Sequence, residues 1–432
     1  MGHINVKKVY KDLQKNLDKY PVGAPADRVF YEILKHMYSE EEAQIGARMP
    51  MNFTPANAIA KRIKMDTKKA EQILNRMADR GLVFDVERNG KKFYILAPTV
   101  VGFFEFTMMK IRDDINQKKI AELLHEYMYE NDIFAKQAFQ GTVQIGRTLV
   151  HETALKEKEY TKILSYEKAS AVIEEAAKWA VSLCYCRHKQ HHVGIDCKFP
   201  MDVCMALNTG ADFAIRHGFA RAIDKKEALE ILSRTRELGL AHIGDNVQKR
   251  LAYICSCCGC CCGQLKAINS IGLENAVVTS NFMASIEEEK CAGCGKCARK
   301  CPIGAISLQQ RKGIPGKLIA VVDERICLGC AVCHAICNRS ALSMKRRKER
   351  VFVPGSTTER IVHMALERGK IQHLLFDENA GITARILNRF LGIIVNLPPV
   401  KRKLAEQQLR SKFVSAMINS VRKSRKNWMT GI

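Results

Sequence analysis

The first 183 residues hold no cysteine, and neither do the residues after Cys337. All 18 cysteines fall between Cys184 and Cys337, several side by side, such as Cys260, Cys261 and Cys262. A secreted chain spreads its cysteines through a disulfide-stapled fold, so this clustering excludes that class. Adjacent cysteines pair poorly with each other but are good soft ligands for iron. Acidic residues are also scarce, with 45 Asp and Glu against 69 Lys and Arg, for a formal net charge of +24. Such a balance favours an acidic partner: nucleic acid, anionic lipid or an acidic protein face. Long apolar runs are missing. No stretch approaches the ~18 apolar residues of a membrane span, so no transmembrane segment is expected. The opening residues are charged and lack a secretory apolar stretch. These features together point to the reducing cytoplasm. Nothing marks a flavin or nucleotide pocket, because Gly141-x4-Gly146 is too sparse a glycine pattern. Apolar residues make up 47% of the 432 residues, enough for packed cores.

The chain reads as α+β and mainly helical. Residues 1–25 are a basic helical lead-in. A domain over 26–110 begins with helices. Thr54-Pro55 reads as a cap followed by Pro at the first helical position. Asp66 or Thr67 caps a second helix that Gly81 stops near Arg80. Asn89-Gly90 between Val83–Arg88 and Lys91–Leu96 is a strong hairpin signal. Helices followed by a hairpin over 26–97 resemble a winged helix-turn-helix domain. That resemblance places Lys68, Lys69, Gln72 and Arg76 outward on a recognition helix, with Lys91 and Lys92 on the wing. Residues 111–285 read as a helical cysteine-rich domain, in which Tyr166–Ser182 is an amphipathic helix leading to Cys184. Asp224 to Glu227 reads as a capping box opening a helix to about Leu238. Residues 286–345 form an inserted ferredoxin-like domain, and 346–432 a basic helical region broken at Pro398-Pro399.

The ferredoxin-like segment carries the sharpest signal. CAGCGKCARKCPIGAIS from Cys291 and CLGCAVCHAICNRSALS from Cys327 repeat at an offset of 36 residues. Each reads C-x2-C-x2-C-x3-C, whose first three thiols hold one 4Fe–4S cube while the fourth ligates the other. One cluster is thereby assigned Cys291, Cys294, Cys297 and Cys337, and the other Cys327, Cys330, Cys333 and Cys301. Gly293, Gly295 and Gly329 suit the tight turns around them. Zinc sites use two-plus-two spacing and do not fit this run. The segment resembles bacterial two-cluster ferredoxins, with Pro302 after Cys301. Asn338 replaces the second proline, which predicts one looser turn.

Ten cysteines lie upstream: Cys184, Cys186, Cys197 and Cys204, then Cys255, Cys257, Cys258, Cys260, Cys261 and Cys262. Buried free cysteine occurs singly as a small hydrophobe, so six thiols in eight residues exceed what packing needs. Two metal readings stay open. In one, Cys184, Cys186, Cys197 and Cys204 hold a third iron–sulfur cluster, and the six-cysteine loop joins it or holds a fourth. In the other, one site is zinc, completed by His188, His191 or His192. Those histidines sit among Arg187, Lys189 and Gln190, and a solvated basic loop is their simpler account. Cys257-Cys258-Gly259 is similar to the cysteine-rich domains of heterodisulfide-reductase-like proteins.

The combination of Cys184-x-Cys186-Arg187, Cys197, Cys204, the CSCCGCCCG loop and the ferredoxin pair resembles a family of 4Fe–4S dicluster proteins of anaerobic bacteria and archaea. The resemblance covers about 160–345 and implies an anaerobic redox role. The leading expectation is a carrier that shuttles single electrons through two 4Fe–4S clusters, to or from an oxidoreductase with an acidic face. The alternatives are a redox-responsive DNA-binding regulator and a subunit that reduces a disulfide or thiol-linked substrate at the upstream site. The C-terminal stretch from Val400 has nine Lys or Arg and one acid, Glu406. It follows the apolar residues Leu387, Phe390, Leu391, Ile393, Ile394 and Val395, with Trp428 near its end. This pattern fits peripheral contact with anionic lipid, docking on an acidic partner, or a helix packed on its own domain.

Overall fold

A computed structural model describes residues 6–155, 165–311, 313–378 and 381–399. It is 44% helical and 16% strand, a mixed α+β chain. Two compact units form. One contains residues 1–143, 216–219 and 356–432, and the other 144–215 and 220–355.

In the first unit, Ser39 and Glu42 make a reciprocal capping box at the start of the helix Glu40–Gly46. Strand β1 (Thr54–Pro55) then precedes the helices Ala56–Ile63 and Thr67–Asp79. Thr54 and Pro55 pair with Tyr94 and Phe93, so Pro55 stands at the cap position, one residue earlier than its φ restriction suggests. Asp66 caps the next helix through the Lys69 N–H at 2.9 Å. Strands β2 (Val83–Arg88) and β3 (Lys91–Leu96) pair in full register. The turn between them has positive φ at Asn89 and Gly90, as a two-residue hairpin requires. The sheet order is β1-β3-β2. Helices Thr357–Glu367, Ile371–Leu375 and Ile382–Asn396 belong to the same unit. Ile382, Ile386, Phe390 and Ile393 are exposed on the last of these. The basic stretch from Val400 lies outside the described residues.

The second unit corrects the helical reading of 111–285. Its centre is an antiparallel six-stranded sheet of β4 (Gly146–Leu149), β5 (Trp179–Ser182), β6 (Cys204–Leu207), β7 (Arg221–Ile223), β8 (Ala241–Asp245) and β9 (Tyr253–Cys257). The order is β4-β8-β9-β6-β5-β7. The helix expected over Tyr166–Ser182 is confined to Ala169–Glu175. Trp179–Ser182 is a strand between β6 and β7. Short apolar stretches satisfy both periods, and cross-strand pairing decides between them.

Helices Ala169–Glu175 and Lys225–Glu237 pack on one sheet face, against Val181, Met205, Leu207, Val247 and Ile254. Asp224 caps the second of these through the Glu227 N–H at 2.8 Å. The Glu227 carboxylate binds Arg221 instead of closing the box. Side chains alternate along a strand. With Met205 and Ile254 in this core, Cys204, Cys255 and Cys257 turn to the opposite face.

The ferredoxin-like segment contributes β10 (Phe282–Ile286), β11 (Ile306–Gln310), β12 (Leu318–Val322) and β13 (Leu342–Arg346). Shifting β10 and β11 by 36 residues gives β12 and β13, so the repeat extends beyond the cysteines. The pairs are β10 with β13 and β11 with β12, both antiparallel. Each copy therefore pairs its strands with the other copy.

Candidate metal centres

Eight thiols sit in the turns that these four strands frame. The repeat holds at the level of single dihedrals. Gly295 has φ +69° and Ala331, 36 residues on, has +68°. Gly304 has +66° and Ser340 has +50°. The turn after Cys301 closes with the Gly304 N–H on the Cys301 carbonyl at 3.4 Å. Its counterpart closes with the Ser340 N–H on the Cys337 carbonyl at 3.1 Å. The turn at Asn338 is thus no looser than its partner, because this backbone bond needs no proline. At Gly293 an added Cβ would lie 2.2 Å from the Leu318 carbonyl oxygen. At Gly329 it would lie 2.0 Å from that of Phe282. Both close approaches require glycine.

The first copy also lends a cysteine to the second. Cys301, from the first run, lines one apolar-walled cavity with Cys327, Cys330 and Cys333 of the second. The remaining wall includes Ile303, Leu328 and Met344. Burial pushes the Cys330 thiol up to about 12, and nearby Cys301 and Cys327 add to the rise. Cys333 is raised by burial and then by Cys330, Cys301 and Cys327. Backbone N–H groups point at sulfur: Ala305 donates to Cys301 Sγ at 3.2 Å and Ala320 to Cys291 Sγ at 3.4 Å. Four thiols gathered in one apolar-walled pocket, with Cys301, Cys330 and Cys333 pushed up by burial, fit a cationic metal core that takes them as thiolates.

The upstream cysteines divide differently from their order in the sequence. Cys197 leaves Cys184, Cys186 and Cys204 and joins Cys258, Cys260 and Cys261. The four sulfurs lie within 4.8 Å of one another. Cys197 Sγ is 3.8 Å from that of Cys258 and 3.6 Å from that of Cys260. The six others form a chain of hydrogen-bonded thiols. Cys184 contacts Cys186, Cys186 contacts Cys262, and Cys262 contacts Cys257. Cys257 in turn contacts Cys255, which meets Cys204 with sulfurs 3.9 Å apart.

The fold explains this division. Register across β6 and β9 pairs Met205 with Ile254 and so places Cys204 beside Cys255. Cys184 stands at the N-cap position of the helix Tyr185–His192, and Cys262 at that of the helix Gly263–Ile271. Their first-turn N–H groups bond sulfur, as the Gly263 N–H does at Cys186 and the Leu265 N–H at Cys262. Helix N-termini favour thiolate in this way, yet Cys184 is still pushed well up by its hydrogen bond to Cys186 and by burial, and Cys186, against its bond to Cys184, by Cys262 and burial. Hydrogen bonds from Cys186 and Cys257 hold Cys262 at about 5. Cys258 is held at about 4, first by a hydrogen bond from Cys261 and also by the charge of Arg187.

Two cations are buried beside these groups. Arg187 is 1% exposed and Lys189 0%. Burial alone would lower the Arg187 pKa, but Cys184, Cys258, Cys257 and Cys197 outweigh it and raise it. Burial brings Lys189 down to about 8, against the pull of Cys186, Cys261 and Cys262. Buried charge is costly unless paired. Thiolates of both groups supply the pairing. The expectation of a solvated basic loop around the histidines is therefore overturned for Arg187, His188, Lys189 and Gln190, which are buried, while His191 is exposed and His192 half-buried. The three histidines do not join the four-thiol group. His188 and His192 face each other at 3.2 Å, and His191 meets Asp196 at 2.7 Å.

Three features escaped sequence reasoning. The regrouping of Cys197 depends on long-range contacts. Arg187 and Lys189 carried no burial signal, since the stretch around them is polar throughout. Gly259 belongs to a Cys-Cys-Gly run, and its role appears only in contact. An added Cβ there would lie 2.2 Å from the Pro302 carbonyl oxygen. Asn269 Nδ2 also donates to that oxygen, at 3.0 Å. The upstream loop thus rests directly on the turn that follows Cys301.

Residues 290–341 match the family model of the 4Fe-4S dicluster domain. No curated protein matches the chain. The match covers all eight cysteines of the two symmetric runs, and the chain is accordingly an iron–sulfur protein with electron transfer as its general chemistry.

Proposed function

We propose that the chain carries single electrons of anaerobic metabolism between a partner oxidoreductase and the upstream thiol sites, through two 4Fe–4S clusters. Cys291, Cys294, Cys297 and Cys337 would hold one, and Cys327, Cys330, Cys333 and Cys301 the other. The observation that carries this reading is the exchange of Cys301 into the cavity of the second run. Bound there, such clusters pass one electron at a time. The protein's own residues shape the route. Gly293 and Gly329 let backbone approach, Ala305 and Ala320 donate to sulfur, and Gly259 brings the upstream loop onto Pro302. That contact supports a path from the Cys301 side to the upstream group of Cys197, Cys258, Cys260 and Cys261. The six-thiol group would hold a further metal centre. Its thiolates and the buried pair Arg187 and Lys189 suit an anionic iron–sulfur cluster better than zinc with histidine. The excess of positive charge fits a partner with an acidic face.

The full chain, purified anaerobically, tests this through iron, sulfide and zinc analysis beside Mössbauer spectroscopy. The two cubes alone require about eight irons, and the upstream sites add to that number. Four irons or fewer per chain, about one cube, would remove the two-cluster assignment.

A second reading has one observation behind it. The run β1, two helices, β2, β3 has the order of a winged helix, with Lys68, Gln72 and Arg76 exposed on the second helix. Against DNA recognition, Lys69 is paired with Glu41 at 2.7 Å and Lys92 with Asn75 at 3.1 Å. We expect weak, sequence-indifferent binding that falls with salt. A selected site bound tightly in only one redox state would make the chain a regulator instead.

A further inference from the structure

The second unit contains a cleft of about 1100 Å³ that the electron-transfer reading leaves without an occupant. Cys258 and Cys260 stand on one wall, and Cys301 with Pro302 on another. Cys260 is the exposed member of its four-thiol group. The volume lies just above the ~300–1,000 Å³ range of small-molecule sites.

Its charge is uneven. Lys198, Lys296, Arg299, Lys300 and Arg325 line it, against Glu274 and Asp323. Both carboxylates act on Arg325. Asp323 accepts from it at 2.8 Å, and Glu274 adds its field. Lys198, Lys296, Arg299 and Lys300 form no ion pair among the described residues. Five cations against two carboxylates leave three positive charges in excess around a concave space, which favours a ligand with several negative charges. Phe199, Ile268 and Ile303 give the same space an apolar side. A protein's convex acidic face does not fit such a concavity, whereas a small molecule does.

We propose that this cleft binds a small, multiply anionic molecule, bearing phosphate or carboxylate groups, between the Cys260 thiol and the turn at Cys301. The proposal deepens the electron-transfer reading, on which it rests, by naming the class of molecule that meets the metal sites.

The test uses the full chain, purified anaerobically, with pyrophosphate and citrate as separate calorimetric probes at low ionic strength. These two arms distinguish phosphate from carboxylate. At least one probe is expected to bind at one site per chain. Lys198→Ala combined with Lys300→Ala should weaken it about tenfold or more, and Lys225→Ala, at an exposed residue outside the cleft lining, should not. Binding should also change the EPR signal of the upstream metal in the unsubstituted protein. Failure of both probes to bind below millimolar concentration overturns the proposal, as does equal weakening by Lys225→Ala. Iron content and reduction by dithionite are read on the same samples. They report the electron-transfer reading separately, so a fully loaded, reducible protein with an empty cleft sinks this proposal alone.

Discussion

The two cysteine regions of the second unit hold their sulfurs by different means. In the ferredoxin-like segment, tight turns bring backbone N–H groups to sulfur, and among the described residues no cation there is as deeply buried as Arg187. In the upstream region, a sheet face, two helix N-termini and two buried cations surround the thiols. The first arrangement suits a bound group whose charge the peptide backbone can balance. The second requires more negative charge, because Arg187 and Lys189 have thiolates rather than carboxylates as neighbours. Ligand geometry in the first is local and repeated. In the second it is assembled from segments up to 78 residues apart, between Cys184 and Cys262.

Substitutions can break this contrast, and the largest effect belongs to the exchanged thiol. Cys301→Ala should abolish the cluster at Cys327, Cys330 and Cys333 and spare the one nearer in sequence, removing about four irons. EPR that shows the opposite cluster lost would reverse the ligand assignment. Arg187→Met comes next. An unpaired buried charge costs about 3–5 kcal/mol, so the upstream metal should be lost while the dicluster signals remain. Equal loss of both sets would show that the two regions are not independently held. Gly329→Ala should destabilise by about 1–3 kcal/mol, because the residue is left-handed and its Cβ meets backbone. Thermal unfolding of the loaded protein measures this, and an unchanged midpoint would show that the turn relaxes freely. Smallest is Ala331→Gly, which relieves a positive φ but loosens the unfolded chain. A change of less than ~1 kcal/mol is expected, in contrast to Gly329 two residues away.

How far the sequence could be read follows from the same contrast. The runs at Cys291 and Cys327 state iron–sulfur chemistry in consecutive spacings, and the dicluster match over 290–341 agrees with that. The hairpin at Asn89-Gly90 and the cap at Asp66 are legible for the same local reason. The upstream grouping is not, because it depends on the register of β6 against β9, and β6 was itself hidden. Cys204-Met-Ala-Leu is too short to separate strand from helix by periodicity. Trp179–Ser182 was missed on similar grounds. The polar stretch Arg187 to His192 looked solvated because nothing local reveals that thiolates will surround it.

The pairing of β10 with β13 and of β11 with β12 has a consequence for biogenesis. On the proposed ligand assignment, the first half would emerge during synthesis with three thiols for one cube, a fourth for the other, and two strands without partners. It can finish nothing until Cys337 and Arg346 have followed. Metal delivered early therefore meets an incomplete nest that can release it again, and only the whole segment can lock. A repeat with this interlocked strand pairing would make loading of the proposed clusters a single event of maturation, since neither half pairs its own strands.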